Sequence, residues 1–343
     1  MKNENEVSVV DLEQQSVFEV LNLIEKHRQK AYRKINEQLV NLYFEIGKYL
    51  SEKVENQPWG SNAIKSIASA VKEKYPTIKG MTQRGLYRMM QFYQEYGHNI
   101  IVSSLLTQIS WTNHLLILSG TKTIEEKEFY IRLCIKNNYS SRELNRQIRS
   151  GYYQRYLLSN GNSLESVEKT IDEDDIPESR ILDCNCFEFL DLPNNYSEKD
   201  LRKAIVSNLK QFLLEIGGDF AFVGEEYRIQ VGSRDFYIDL LLFNRKHCCL
   251  VAIELKIDEF QPEYVSKMNF YLEALDRDVK YLHEKPSVGI ILCASKDSTV
   301  VEYTLSRSLS PTMISEYSTD LIDKKLLEQK VSSLYKSLKK SIK

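Results

Sequence analysis

Between Asp235 and Lys256 two apolar, β-favouring runs flank a short polar break, and both carry charge where burial should exclude it. The first reads Asp235-Phe-Tyr-Ile-Asp239-Leu-Leu-Leu-Phe243. After Asn244-Arg-Lys-His247, the second reads Cys249-Leu-Val-Ala-Ile-Glu254-Leu-Lys256. Runs of this kind predict a β-hairpin. Folded symmetrically about Lys246 and His247, it sets Asp239 opposite Glu254, with Cβ atoms about 5 Å apart. Strand side chains alternate faces, so Glu254 and Lys256 point the same way. Two carboxylates and an amine converge on one side of one sheet.

Like charges set opposite each other destabilise a hairpin. A divalent cation between the carboxylates resolves that conflict, and Mg²⁺ (or Mn²⁺) held by one or two carboxylates and a phosphate suits phosphodiester chemistry. Asp239, Glu254 and the Leu255 carbonyl are the expected ligands. Lys256 is then placed to orient or deprotonate the attacking water, or to neutralise charge in the transition state. The competing reading is a surface hairpin with an ordinary Glu-Lys pair facing solvent; an Asp in register on the facing strand weighs against it.

Ile238-Asp239, a hairpin, then Glu254-Leu-Lys256 resembles the core of the PD-(D/E)XK nuclease superfamily, with Ile238 where that name has proline. The stretches Phe212-Leu-Leu-Glu-Ile-Gly217, Phe220-Ala-Phe-Val-Gly224, Ala252-Ile-Glu-Leu-Lys256 and Asn269-Phe-Tyr-Leu272 extend the likeness to the bacterial YhcG-type family. That resemblance implies an N-terminal helical domain joined to a restriction-endonuclease-like mixed sheet flanked by helices, which is a nuclease fold. Together with the paired carboxylates and lysine it leads us to expect a metal-dependent nuclease, acting on DNA more than RNA. Many metal-dependent members carry Gln-x-x-x-Tyr in a helix after the core. The matching stretch here is Lys267-Met-Asn-Phe-Tyr271, so Lys267 and Tyr271 are expected near the site. The first core helix of such folds often adds an acid, for which Glu198, Asp200 and Glu215 are candidates. Glu225 and Glu226 depart from the family's less acidic turn, and Glu226 is an accessory candidate.

The chain has 343 residues, room for two or more cores. A formal net charge of −2 means that nucleic acid must be met by a local basic patch. No apolar run approaches the length of a membrane span, and the polar, acidic start lacks a signal-peptide core, so a cytoplasmic protein is expected. Six irregularly spaced cysteines read as reduced thiols, not as a disulfide scaffold or a zinc site.

The expected domains are 1–158, helical; 159–180, an acidic linker; and 181–343, the nuclease-like unit. Residues 7–55 show apolar spacing of one or two long helices, serving either as core or as a partner or homodimer surface. Helix 62–74, a connector and a Thr82-capped helix 83–96 share the order of a helix-turn-helix and of a plain helical hairpin. In the first reading Arg84 and Arg88 meet phosphates or bases. His114, beside Trp111, is a ligand or acid/base candidate set against a structural role. Arg142, Arg146, Arg149 and Arg155, interleaved with tyrosines, form the clearest basic patch and suit nucleic-acid contact. Gly224-Glu225-Glu226 reads as a turn between two strand arms. Two rivals to the hydrolase stand: a catalytically silent nucleic-acid-binding module, and a helix-turn-helix regulator or assembly factor.

Overall fold

The hairpin expected from residues 235–256 forms, as part of a larger mixed sheet. The structure, a computed structural model, describes residues 4–56, 61–97, 104–160, 182, 184–217, 219–306, 308, 311–321 and 323–341. These fall into two compact units, 1–145 and 146–343. Sequence composition puts the end of the helical domain at 158 instead. From residue 161 to 180 the expected acidic linker lies outside the described residues.

In the first unit α1 (Glu4–Asn56), α2 (Ser61–Lys74) and α3 (Gln83–Tyr96) pack around Tyr43, Leu50, Ile64, Leu86 and Met89. Gly47 lets α1 and α3 meet backbone to backbone: a Cβ there would lie 2.0 Å from the Met89 carbonyl oxygen. The Thr82 side chain caps α3 by accepting from the Gly85 N–H, as the sequence predicts. Residues 75–82 separate α2 from α3, a longer link than the three- or four-residue turn of a helix-turn-helix. Two further helices, α4 (Trp111–Gly120) and α5 (Ile124–Asn137), follow among the described residues, and α6 (Ser141–Arg149) opens on a Ser140/Glu143 capping box.

In the second unit α7 (Tyr152–Asn160) precedes β1 (Cys184–Cys186), α8 (Glu198–Ser207) and α9 (Leu209–Ile216). The sequence reads 196–216 as one amphipathic helix; the backbone instead breaks at Asn208, which leaves helical geometry between α8 and α9. Then come β2 (Phe220–Val231), β3 (Arg234–Asn244), β4 (Cys249–Leu255), α10 (Glu263–Asp278), β5 (Lys285–Cys293), α11 (Ser298–Leu305), β6 (Thr312–Ser318) and α12 (Lys324–Ser341). The strand order is β1-β6-β5-β4-β3-β2; β2, β3 and β4 pair antiparallel, and β4, β5, β6 and β1 pair parallel. Gly224-Glu225-Glu226 is not a turn. It lies inside β2, where the register shifts between Phe222 and Gly224, and the tight turn falls at Gly232, with φ +62°. Glycine within a strand here marks a bulge.

Central β4 is buried at every position, as suits a strand with neighbours on both edges and helices on both faces. Leu201, Ile205 and Phe212 of α8 and α9 cluster with Leu240, Leu242, Ile253 and Leu255. Met268, Tyr271, Leu272 and Leu275 of α10 cluster with Ile238, Leu241, Ala252 and Ile291. Helix on sheet on helix leaves the end of β4 flanked by α8 and α10, and the charged residues gather there.

Candidate active site

β3 and β4 pair from Asn244↔Cys249 to Leu240↔Ile253. Continuing that register by one residue sets Asp239 opposite Glu254. There the strands stop exchanging backbone bonds, and the Asp239 side chain takes over: its Oδ2 accepts from the Leu255 N–H at 2.9 Å. Its Oδ1 accepts from Arg202 Nη1 at 2.8 Å. Glu254 is almost fully buried, and its Oε1 takes Lys267 Nζ at 2.5 Å and Lys256 Nζ at 3.2 Å. Its other oxygen, Oε2, is buried without a hydrogen-bond donor. Burial raises the Glu254 pKa, and the nearby Asp239 charge raises it further, against the pull of Lys267 and Lys256. The two carboxylates therefore feel each other, as the hairpin register predicts.

Lys256 stands just past the end of β4. Its N–H donates to the Leu292 carbonyl at 2.8 Å, and its own carbonyl accepts from Tyr317 Oη at 3.0 Å. Its ammonium reaches both oxygens of Glu198, at 3.0 and 3.1 Å, and lies over the Tyr264 ring. Burial pulls the Lys256 pKa down, but Glu254 and Glu198 outweigh it and the net shift is upward. The amine is thus held as a cation.

Of the three first-helix acids, only Glu198 is in this cluster. Asp200 closes a capping box with Ser197 at the start of α8, and the Ser197 hydrogen bonds hold its carboxyl below the usual range. Glu215 is a correction. It is fully buried away from Asp239 and Glu254, accepting from Arg155 Nη1 at 2.5 Å, Arg146 Nη2 at 3.1 Å and the Cys186 N–H at 2.8 Å. The same network corrects the basic patch. Arg155 is buried, and Arg146 is engaged by Glu215 and, at 2.8 Å, by Glu188, so neither is open to nucleic acid; Arg142 and Arg149 remain exposed. Arg84 is also exposed and Arg88 half-buried, both on the first turns of α3.

The accessory residues Lys267, Tyr271 and Glu226 do gather here. Lys267 lies over the Tyr271 ring, and Tyr271 Oη donates to the Tyr237 carbonyl at 2.8 Å, anchoring β3 two residues before Asp239. Glu226, with φ +42°, is brought beside Asp239 by Arg202, whose Nη2 lies 2.6 Å from Glu226 Oε1. Sequence reasoning missed Arg202. The available signal was its position one helical turn after Glu198, which puts both on one face of α8.

His114 is structural. It is fully buried, its Nε2 lies 2.7 Å from the Leu106 carbonyl oxygen, and its ring packs on Phe92. Burial lowers its pKa to about 4, only partly opposed by the Leu106 carbonyl. The folded chain holds it neutral, whereas the unfolded chain protonates it below about pH 6.5. Its contribution is therefore full above pH 6.5 and is lost as pH falls toward 4. Urea titrations at pH 7 and pH 4.5 should show wild type losing roughly 2–3 kcal/mol more than His114→Gln; equal losses would refute this.

Among the described residues no group of three or more His, Cys, Asp or Glu side chains has metal-binding geometry. Two carboxylates, Asp239 and Glu254, meet at the end of β4. That fits a hard cation of the Mg²⁺ type, which keeps waters and substrate oxygens in its shell. The donorless Glu254 Oε2 is the observation that favours such a ligand. All six cysteines are free, and burial pushes the Cys186 and Cys293 thiols up to about 12, which excludes them as ready nucleophiles.

Residues 178–332 match the model of the YhcG PDDEXK nuclease domain, and residues 19–155 match that of the DUF1016 N-terminal domain. The chain belongs to the YhcG-type family. Its C-terminal unit accordingly has the restriction-endonuclease-like fold of a PDDEXK nuclease domain. The protein YhcG of Escherichia coli (strain K12), provisionally assigned as a nuclease, is 29% identical over 342 residues, covering 90% of each chain. Among solved structures, a repair endonuclease from Pyrococcus abyssi aligns at 18% identity and a TM-score of 0.25, over 37% of this chain and 47% of that one. No described helix is long and apolar enough to cross a membrane.

Proposed function

We propose that the chain is a metal-dependent nuclease that hydrolyses phosphodiester bonds in the cytoplasm, with DNA as the first substrate to test. The observation that carries this reading is the convergence of Asp239, Glu254 and Lys256 at the end of β4, with one Glu254 oxygen left without a donor.

Asp239, Glu254 and the Leu255 carbonyl are the residues that would hold a divalent cation. Bound there, it supplies Lewis-acid polarisation of a phosphoryl oxygen and a more acidic water. The chain's own residues do the rest. Arg202 and Lys267 balance the carboxylate charges, and Glu198 and Glu254 hold the Lys256 ammonium from two sides. Held between Glu198 and Glu254, Lys256 is placed to stabilise the charge that develops on the phosphate, or to orient the attacking water. Exposed Arg84, Arg142 and Arg149, with Arg88, are the side chains proposed to contact the nucleic-acid backbone.

The test is to incubate the purified full chain with single- and double-stranded DNA and RNA, in Mg²⁺, in Mn²⁺ and with a chelator. Cleavage that requires the metal is the expected result. Cleavage undiminished by chelator would overturn the reading. Tight binding with no cleavage in either metal would favour the silent nucleic-acid-binding module instead.

A further inference from the structure

The apolar face of α1 is longer than the part of it that the chain covers. At 100° per residue, Val17, Val20, Leu21, Ile24, Ala31, Ile35, Leu39, Tyr43, Ile46 and Leu50 form one stripe. Its C-terminal half is core, with Tyr43 and Leu50 each 2% exposed. The other half is bare: Val17, Val20, Leu21 and Ile24 are 51–59% exposed, and every described side chain from Val17 to Ile35 is exposed. Support begins at Asn36, whose Nδ2 donates to the carbonyls of Thr107 and Ile109 at 3.1 and 2.9 Å. Residues 17–35 thus project as a helical segment of roughly 28 Å. Isolated helices are marginal in water, and packing of an apolar face is what stabilises most of them. An apolar groove of about 420 Å³ lined by Lys34, Ile35, Gln38, Leu39 and Leu42 carries the bare stripe into the packed region.

Charge along the helix says what covers it. Residues 4–25 carry six carboxylates and no Lys or Arg, whereas residues 26–34 carry five Lys or Arg and no carboxylate. The basic block lies mid-helix, roughly 30 Å before the C-terminal end of α1, so the helix dipole does not account for it. A parallel second copy would set acid on acid and base on base. An antiparallel copy sets acid on base.

We propose that α1 pairs antiparallel with α1 of a second copy of this chain, centred on Val20 and Leu21. That centre sets residue 17 opposite 24, residue 20 opposite 21 and residue 10 opposite 31, apolar at every position. It sets residue 13, a glutamate, opposite residue 28, an arginine, twice per pair. Arg28 gives up little to do so, since its ion pair with Glu25, at 3.3 Å, is exposed on both sides. The dimer does not depend on the hydrolytic reading, because no residue of the β4 site takes part.

Sedimentation equilibrium of the full chain tests it. Wild type should give twice the 40.1 kDa of one chain, and Leu21→Glu with Ile24→Glu should give one chain with unchanged helical circular dichroism. Glu13→Arg alone and Arg28→Glu alone should each weaken the dimer at least tenfold, and the two together should restore it. A parallel pair would keep residue 13 facing 13 and 28 facing 28, so the combined swap would not rescue either single change. A wild-type mass of one chain, or a charge swap that fails to rescue, overturns the proposal and leaves the face to a different partner.

Discussion

Asp239→Asn should slow metal-dependent cleavage by at least about a thousandfold, while the melting temperature stays near that of wild type. The amide keeps an acceptor for the Leu255 N–H, so the splice between β3 and β4 survives. What is lost is the negative charge that would hold a cation and that already attracts Arg202. Asp239 is only partly buried, so the fold does not depend on its charge being paired. Lys256→Met should show a similar loss through a different cause. It removes the cation held between Glu198 and Glu254 where phosphate charge would develop, and deleting one such stabilising group typically costs about a hundred- to a thousandfold. Initial rates measured with the melting curves separate the two kinds of damage. Either variant cleaving at the wild-type rate would remove the mechanism.

Glu215→Gln should instead leave the chemistry alone and weaken the fold. Glu215 is fully buried, and burial alone would raise its pKa, but Arg155 and Arg146 reverse the shift and hold it below the usual carboxylate range. Arg155 is itself 1% exposed, with further bonds to the Ser150 and Cys184 carbonyls, each at 3.1 Å. Neutralising the acid leaves that guanidinium buried without its counter-charge. Breaking one partner of a buried pair costs about 3–5 kcal/mol, which for a unit of this size lowers the melting temperature by roughly 10 °C. Arg155→Met with Glu215→Leu should recover part of the loss, because apolar packing can replace a buried pair. Scanning calorimetry of the three proteins gives the answer; a Glu215→Gln melting point within about 2 °C of wild type would contradict the assignment.

Asp239 and Glu215 mark what the sequence could and could not disclose. The pairing of Asp239 with Glu254 was legible because hairpin register follows from the symmetry of the loop, a local property. Lys256 followed from strand alternation, whereas Lys267 and Tyr271 followed from the likeness of Lys267-Met-Asn-Phe-Tyr271 to the family's Gln-x-x-x-Tyr. Glu198 could not be told from Asp200 or Glu215 along the chain, since three acids near one helix look alike until tertiary packing sorts them into a site, a cap and a buried pair. Arg146 and Arg155 mislead for the same reason: a basic cluster on paper does not show whether an acid far along the chain, here Glu215, is buried against it. Gly224 reads as a turn residue, yet in a long strand glycine also marks a bulge. His114 resembles a functional group because Ser110-Trp111-x-x-His114 is a compact motif. Its members are a helix cap, an aromatic packing residue and a buried tie to the Leu106 carbonyl.

Hydrolysis of the proposed kind requires that Asp239 and Glu254 act together as a cation site. Titrating Mn²⁺ into the full chain by calorimetry, with no nucleic acid present, measures that without reference to turnover. Wild type should bind the metal, and Glu254→Gln should abolish the heat while still unfolding in one cooperative transition. Absence of binding in wild type, or the same affinity in Glu254→Gln, would contradict it.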